Sequence, residues 1–155
     1  MGQSGVTPEY AALLEKGLKF QDHVTELFYR DGLPLVTFAS KDKQLRGENM
    51  AGIEIKFDDN LKKTGNLYIE TMECRVAGSE MVKSGIYRND NSWLYAIGDY
   101  DTLFVFAKKF LQCLHRASEK RGYRCVEIAT SKAFLLPATE AEKYAAKIFH
   151  AEDAK

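Results

Sequence analysis

The chain has 155 residues, in which 22 Lys and Arg balance 22 Asp and Glu, and 45% of its residues are hydrophobic. Length and composition predict one folded domain, residues 1–155, with flexible ends at 1–7 and 152–155, and they exclude a wholly disordered chain. The zero net charge excludes a uniformly basic protein, although a basic face and an acidic site can cancel in the sum.

The cysteines and the start of the chain indicate a cellular compartment. Cys74, Cys113 and Cys125 are odd in number and share no metal-binding spacing, so we expect reduced thiols. No secretory signal is visible, and the longest apolar runs are far shorter than a membrane span. These features predict an intracellular, cytoplasmic protein without a membrane partner.

The first predicted element is a helix that begins at Thr7-Pro8-Glu9 and ends at Asp31-Gly32. Threonine is a suitable N-cap, proline suits the first helical position, and glycine is a common C-cap. Apolar residues then recur at helical spacing: Leu13, Leu14, Leu18, Val24, Leu27 and Phe28. Gly17 lies among them and could bend or divide this helix.

A strand over 33–39 is predicted next, followed by a cationic connection. Pro34 suits the beginning or the edge of that strand. The segment 40–46 carries Lys41, Lys43 and Arg46. Two interpretations of this segment stay open, namely contacts with phosphate groups at the entrance of a site or an ordinary solvated loop.

The central element is the strand predicted at 53–57, where apolar and charged residues alternate. Its three apolar side chains should face the core. Glu54 and Lys56 should lie on the other face, about 6–7 Å apart along the strand. A carboxylate and an ammonium group placed in this way can hold a divalent cation together with an attacking water. The alternative is a weak salt bridge on an exposed sheet face.

Glu48 is a second candidate ligand and lies six residues before Glu54. Gly52 lies between them and favours a turn. If this turn folds back as a tight hairpin, the Glu48 carboxylate reaches the same cation. Mg²⁺ prefers oxygen ligands and is usually held by one or two carboxylates plus water and substrate phosphate. The spacing therefore predicts a magnesium site that Glu48 and Glu54 share.

The rest of the chain alternates predicted strands and helices. In order, we expect strands at 67–72, 93–97 and 102–106, a helix at 107–121, a strand at 125–129, a partly buried connection at 130–137, and a helix from the N-cap Thr139 to Phe149. The strand at 102–106 should be central because it is apolar on both faces. This order predicts an α/β fold with a central mixed β-sheet flanked by helices.

A family resemblance appears at these residues. The triplet Glu54-Ile55-Lys56 on a strand, with an acidic residue upstream and a helix before it, is similar to the PD-(D/E)XK nuclease superfamily. The segments behind the triplet are also similar, namely 64–70 with Gly65-Asn66, 84–86 with Ser84-Gly85, and 93–95. The resemblance covers roughly residues 17 to 110. It implies a restriction-endonuclease-like fold, with the site at one end of the central strands.

The activity that this resemblance implies is metal-dependent hydrolysis of phosphodiester bonds in DNA. Glu48 and Glu54 would bind Mg²⁺ or Mn²⁺, and Lys56 would orient the water or stabilise charge on the phosphate. The superfamily usually has its upstream acid ten or more residues before the triplet. In this chain Asp42 matches that spacing, whereas Glu48 lies nearer to the triplet than is usual. It also often has a glutamate on the first helix, where this chain has Gln21.

Several further residues are candidates around this site. Gln21, Glu26 and Glu70 are possible additional site residues, since each is polar and lies on an element next to the triplet. Two cationic segments should contact the DNA backbone, and their members are Lys62, Lys63, Lys83 and Arg88. The chain could act as a homodimer or rely on a targeting partner.

Two other functional classes stay open. The first is a nuclease-like domain with a lost or altered metal site that acts as a DNA-binding or assembly module. The second is a protein-interaction domain with charged sheet faces. Binding of a divalent metal separates the nuclease from the inactive module, and salt-sensitive DNA binding separates both from the interaction domain.

Overall fold

The computed structural model of the protein describes residues 7–38 and 46–154. Asp42, Lys41 and Lys43 lie outside these ranges, as do residues 1–6 and 155 of the flexible ends predicted at 1–7 and 152–155. The expected flexible tail contains a 3-10 helix at Ala151–Ala154. Within the described ranges, no helix combines the length and the apolar character needed to cross a bilayer.

The described elements alternate between helices and strands. The helices are α1 Pro8–Arg30, α2 Leu61–Thr64, α3 Lys108–Arg116, α4 Ser118–Arg121 and α5 Ala138–Tyr144. The strands are β1 Ile53–Phe57, β2 Asn66–Glu73, β3 Val82–Lys83, β4 Leu94–Gly98, β5 Thr102–Ala107, β6 Cys125–Glu127, β7 Ser131–Pro137 and β8 Lys147–His150.

The strands form two four-stranded sheets. The first sheet has the order β1-β4-β5-β8 and is mixed, because β1 is parallel to β4 while the other pairs are antiparallel. The second has the order β3-β2-β7-β6 and is antiparallel. The predicted α/β class with a mixed sheet and flanking helices is confirmed, and β5 has the predicted interior place in its sheet. β1 lies at an edge of its sheet.

The long helix α1 forms largely as its sequence predicts. The Thr7 hydroxyl accepts a hydrogen bond from the Tyr10 N–H at 3.3 Å, and Gly32 follows the helix with φ 89°. Gly17 does not divide it. The buried apolar residues all lie in its second half, from Phe20 to Phe28, whereas Leu13 is 65% exposed. Only the C-terminal half of α1 therefore packs on the protein.

Two apolar clusters cover the two faces of the first sheet. On one face, Ile53 and Ile55 pack with Phe20 and Val24 of α1. On the other face, side chains of β4 and β5 pack against those of β2 and β7, and the cluster includes Ile97, Phe104, Phe106, Leu67, Ile69 and Phe134. The first sheet thus has α1 on one face and strands of the second sheet on the other, and the apolar side chains of β1 lie on the α1 face.

The predicted strand at 33–39 is wrong for the residues that are described. Its described part makes one isolated bridge, between Thr37 and Asn49. Two backbone hydrogen bonds flank this bridge, from Phe38 N–H to the Glu48 carbonyl at 3.2 Å and from Met50 N–H to the Val36 carbonyl at 3.0 Å. Pro34 lacks a backbone donor, so the pairing cannot extend regularly toward α1.

Three predictions for the second half of the chain are also wrong. The expected connection at 130–137 is the strand β7, which pairs with both β2 and β6. The last helix ends at Tyr144, and Thr139 lies inside it rather than at its N-cap. The residues after this helix form β8 beside β5. The predicted helix at 107–121 is interrupted at Ala117, which separates α3 from α4.

Candidate active site

The structure places Glu54 and Lys56 together on β1. The Lys56 ammonium nitrogen lies 3.2 Å from Glu54 Oε1. Glu54 is only 2% exposed, so the pair is not the exposed surface salt bridge that was the alternative. Its burial follows from the sheet, because Glu54 is in register with Tyr95 of β4, whose ring is fully buried between the two sheets.

The Glu54 carboxylate is held by ion pairs with two ammonium groups. Lys56 lies 3.2 Å from Oε1 and Lys108 lies 4.0 Å from Oε2. Apart from these ion pairs, neither oxygen has a hydrogen-bond partner within the described part of the chain. Burial raises the pKa of Glu54, while the charges of Lys56 and Lys108 lower it. A buried carboxylate held by ion pairs alone is costly for a folded protein.

Lys108 is a buried cation that the sequence analysis missed. Its ammonium group lies 4.0 Å from Glu54 Oε2 and donates to the Arg88 carbonyl at 2.8 Å. It also donates to the Ser92 hydroxyl at 2.6 Å and to Asp90 Oδ1 at 3.2 Å. One feature of the sequence could have indicated a special role for Lys108. It is the first residue of α3, where the positive end of the helix disfavours a cation.

Glu48 reaches β1 through a turn that folds back, which was the condition for its carboxylate to approach Glu54. Its Oε2 accepts a hydrogen bond from the Ile55 N–H at 2.9 Å. The buried Asn49 side chain closes the turn, since it accepts from the Ile53 N–H at 3.0 Å and donates to the Ile53 carbonyl at 2.7 Å. Gly52 has φ 73°, a left-handed conformation that favours glycine.

The pKa of Glu48 is raised to about 7. Burial is the main cause, and the negative charge of Glu54 contributes to the rise. The Ile55 N–H and the charges of Lys56 and Arg88 oppose it. Glu48 therefore belongs to the same electrostatic cluster as Glu54 and Lys56, and its carboxyl group exchanges its proton near neutral pH.

We expect Asn49→Ala to lower the free energy of unfolding by about 2–3 kcal/mol, because it leaves the Ile53 N–H and carbonyl without partners. Urea denaturation at constant pH measures this difference. Asn89→Ala is a matched control at an exposed position, with an expected change within about 0.5 kcal/mol. Equal losses in the two variants would contradict the role given to the Asn49 side chain.

The three additional candidates have different positions. Gln21 lines a surface cleft of about 230 Å³ together with Glu48 and Ile55, so the structure brings it to the site. Glu70 accepts a hydrogen bond from the Ser84 hydroxyl at 2.8 Å, and its negative charge raises the pKa of Lys56. Glu26 is not brought to the site, since it pairs with Arg30 one turn along the exposed face of α1.

The predicted DNA-contacting cations are spread around the site. Arg88 is nearest, because its charge acts on Glu48 and its guanidinium lies 3.7 Å from Asp90. Lys62 forms an ion pair with Asp101 on the protein surface. Lys63 and Lys83 are exposed, on α2 and β3.

Gly85 explains why the segment after Lys83 passes close to Glu70. Its φ is 52°, and a Cβ atom there would lie 2.1 Å from the Glu70 carbonyl oxygen. Only glycine fits such a close approach in that conformation. The contact holds Ser84 beside the Glu70 carboxylate.

The donor set allows a divalent metal with few protein ligands. Within 7–38 and 46–154, no three His, Cys, Asp or Glu side chains cluster in a way that could hold a metal ion. The Glu54 carboxylate, which is paired with Lys56 and Lys108, and the Glu48 carboxyl group are hard oxygen donors. Mg²⁺ takes donors of this kind, with one or two carboxylates and with water and phosphate in the rest of its shell.

Comparisons of the chain with protein-family models, with curated proteins and with solved structures find no match. The case for a function therefore comes from the geometry of the site and from the resemblance carried by its sequence motifs.

Proposed function

We propose that the protein hydrolyses phosphodiester bonds in DNA with a divalent metal, through a restriction-endonuclease-like fold. One observation carries this proposal. Glu54 is a buried carboxylate whose partners among the described residues are ammonium groups alone, and the Lys56 ammonium lies 3.2 Å from it on an edge strand. An acid and a lysine held together at a sheet edge suit phosphoryl chemistry better than they suit stability.

Glu54 and Glu48 would hold Mg²⁺ or Mn²⁺ in this proposal. Such an ion supplies positive charge that stabilises phosphate oxygens and lowers the pKa of water. Lys56 orients the attacking water or stabilises the negative charge that develops on the phosphate. Its ammonium group is held charged by Glu54, Glu70 and Glu48, which raise its pKa against the effect of burial.

Glu48 adds a pH dependence to this site. Because the pKa of Glu48 is about 7, its carboxyl group is partly protonated at neutral pH. A cation can bind fully to it only after the proton leaves. Metal affinity and cleavage should therefore both increase as the pH rises through 7.

The DNA backbone would be held by Lys62, Lys63, Lys83 and Arg88. Each phosphate contact releases counterions, so each should make binding more sensitive to salt. Of these four cations, Arg88 is the one whose charge acts on Glu48, and it suits the phosphate beside the cleaved bond. Because the net charge of the chain is zero, attraction to the DNA backbone would be confined to the surface around these four cations.

An inactive nuclease-like DNA-binding or protein-interaction module is the second candidate. The specific observation in its favour is Lys108, because two ammonium groups already lie within 4.0 Å of the Glu54 carboxylate. A carboxylate neutralised by lysines needs no metal. The absence of a three-ligand cluster among the described residues agrees with this alternative.

The test is a cleavage assay on linear, nicked, branched and single-stranded DNA with Mg²⁺, with Mn²⁺ and with EDTA. We expect cleavage that requires the metal, together with DNA binding that weakens steeply with salt. Salt-sensitive binding without cleavage of any substrate would reject the hydrolase and support the inactive DNA-binding module. Neither cleavage nor binding would support the protein-interaction module.

A further inference from the structure

A cavity of about 460 Å³ opens beside the candidate site. Its wall includes Lys56 of β1 and Glu70 of β2, so it is continuous with the groups proposed to act on the phosphate. It lies where the β1–β4 pair faces the β2–β7 pair. Its volume lies within the range of cavities that bind small organic groups, which is roughly 300–1,000 Å³.

The lining of the cavity combines apolar side chains with polar groups, one of which has no hydrogen-bond partner among the described residues. Phe57, Tyr68, Ile97 and Leu135 provide the apolar part. Tyr95 also lines it, and its hydroxyl is buried without a hydrogen-bond partner among the described residues. A buried hydroxyl without a partner is unfavourable in a protein interior. This lining is typical of a pocket that receives a ring with polar edges.

Three carboxylates and two cations, Lys56 and Arg124, line the cavity. The Asp58 carboxylate accepts from the Tyr68 N–H at 2.8 Å and from the Asn60 N–H at 3.2 Å, which fixes it in the wall. Glu70 and Asp59 contribute the other two carboxylates. Lys56 therefore suits a phosphate, while the carboxylates suit an uncharged group with N–H donors.

We propose that this cavity binds the base of one unpaired nucleotide next to the phosphodiester bond that is cleaved. This inference rests on the proposed hydrolase function and names its substrate class. A base within a continuous duplex is stacked and paired, and its removal from the stack costs free energy. The favoured substrate is then DNA with an unpaired nucleotide at the cleavage site, such as a mismatch, a flap or a single strand.

The polar lining also predicts which base is preferred. Carboxylate oxygens accept hydrogen bonds, and the amino groups of adenine and cytosine donate them. Thymine has no amino group and offers a carboxylate only its single ring N3–H, whereas an amino group offers two N–H donors. An unpaired adenine or cytosine should therefore be bound and cleaved faster than an unpaired thymine at the same position.

The experiment compares duplexes that differ at one central position: fully paired, or with one unpaired adenine, cytosine, thymine or abasic residue. Binding is measured by fluorescence anisotropy in EDTA, and cleavage by single-turnover rates in Mg²⁺. We expect the unpaired adenine to be preferred over the abasic residue by roughly tenfold or more in both assays, because a stacked base contributes roughly 5–150-fold in affinity.

Two variants test whether the preference for an unpaired adenine over an abasic residue depends on the cavity. Ile128 is 55% exposed and lines the cavity, so Ile128→Trp fills it without disturbing the core. Val76→Trp is the matched control, since Val76 is 67% exposed and lies outside the lining. Ile128→Trp should reduce the preference for adenine over the abasic residue to near onefold, and Val76→Trp should leave it unchanged.

The outcomes separate this inference from the proposed function. Cleavage with equal rates for paired, unpaired and abasic DNA would overturn the inference and leave the hydrolase standing. Preference for the unpaired base in EDTA without cleavage by any metal would support base binding in the cavity and overturn the hydrolase. A preference that survives in Ile128→Trp would place the base elsewhere and overturn the inference.

Discussion

Lys56→Met and Glu54→Gln are each expected to slow DNA cleavage by about 10²–10³-fold, the usual cost of removing one group that stabilises charge in the transition state. Methionine keeps the length of the lysine side chain but removes its charge. Glutamine keeps the shape of Glu54 and removes the negative charge needed to hold a cation. Single-turnover rates at saturating Mg²⁺ measure both effects.

Stability must be measured alongside these rates. Loss of one partner from a buried pair leaves an uncompensated charge and can cost about 3–5 kcal/mol. Lys108 remains 4.0 Å from Glu54 in Lys56→Met and limits this loss. Lys19→Met is the control, because it removes an exposed ion pair with Glu15 and should leave cleavage and stability unchanged. Folded Lys56→Met protein that cleaves at the wild-type rate would exclude Lys56 from catalysis.

Glu48→Gln is expected to stabilise the protein at pH 8 by roughly 3 kcal/mol while it impairs cleavage. In the folded protein, the pKa of Glu48 is raised from 4.5 to about 7. The folded state thus binds the proton more tightly than the unfolded state. Its stabilising effect is fully present below pH 4.5, declines as the pH rises toward 7, and is absent above 7. Glutamine keeps an acceptor for the Ile55 N–H without that loss.

Urea denaturation of the wild type and of Glu48→Gln between pH 4 and pH 8 measures this difference. The two curves should agree near pH 4 and separate as the pH rises to 8. Glu26→Gln is the control, since Glu26 is an exposed acid on α1 and should show no such pH trend. Parallel curves for the wild type and Glu48→Gln would contradict a raised pKa of Glu48.

The elements that the sequence predicted correctly have strong local signals. The period-two alternation over Ile53–Phe57 predicted β1 with its correct bounds. The Thr7 N-cap, with proline after it, predicted the start of α1. Gly52 and the short distance to Glu54 predicted that Glu48 folds back on β1. Each signal depends on residues close to one another in the chain.

The elements that the sequence missed depend on distant partners. β7 forms because β2 and β6 pair with its two sides, and its own pattern does not distinguish a strand from a buried connection. β8 forms because β5 offers a free edge, although Ala145 and Ala146 before it favour a helix. Tertiary pairing overrides local propensity in both segments.

Burial of the site was equally invisible in the sequence. Alternation assigns Glu54 and Lys56 to the face opposite the core, which suggests exposure. In the fold Glu54 lies beside the buried residues Tyr95 and Lys108, and it is 2% exposed. The contribution of Lys108 follows from the same packing, because α3 begins more than fifty residues after β1. A raised pKa and a buried charge cluster can be recognised only after such layers are assembled.

The turn that carries Glu48 and Asn49 also closes the outer edge of the first sheet. Among the described residues no strand pairs with β1 on that side, and its Ile53 and Ile55 backbone groups hydrogen-bond to these two side chains instead. Unpaired backbone groups on an edge strand invite a strand from another molecule and lead to aggregation. The acid proposed for catalysis therefore also covers backbone groups that would otherwise pair with another molecule. Resistance to aggregation and the proposed activity then depend on the same short turn.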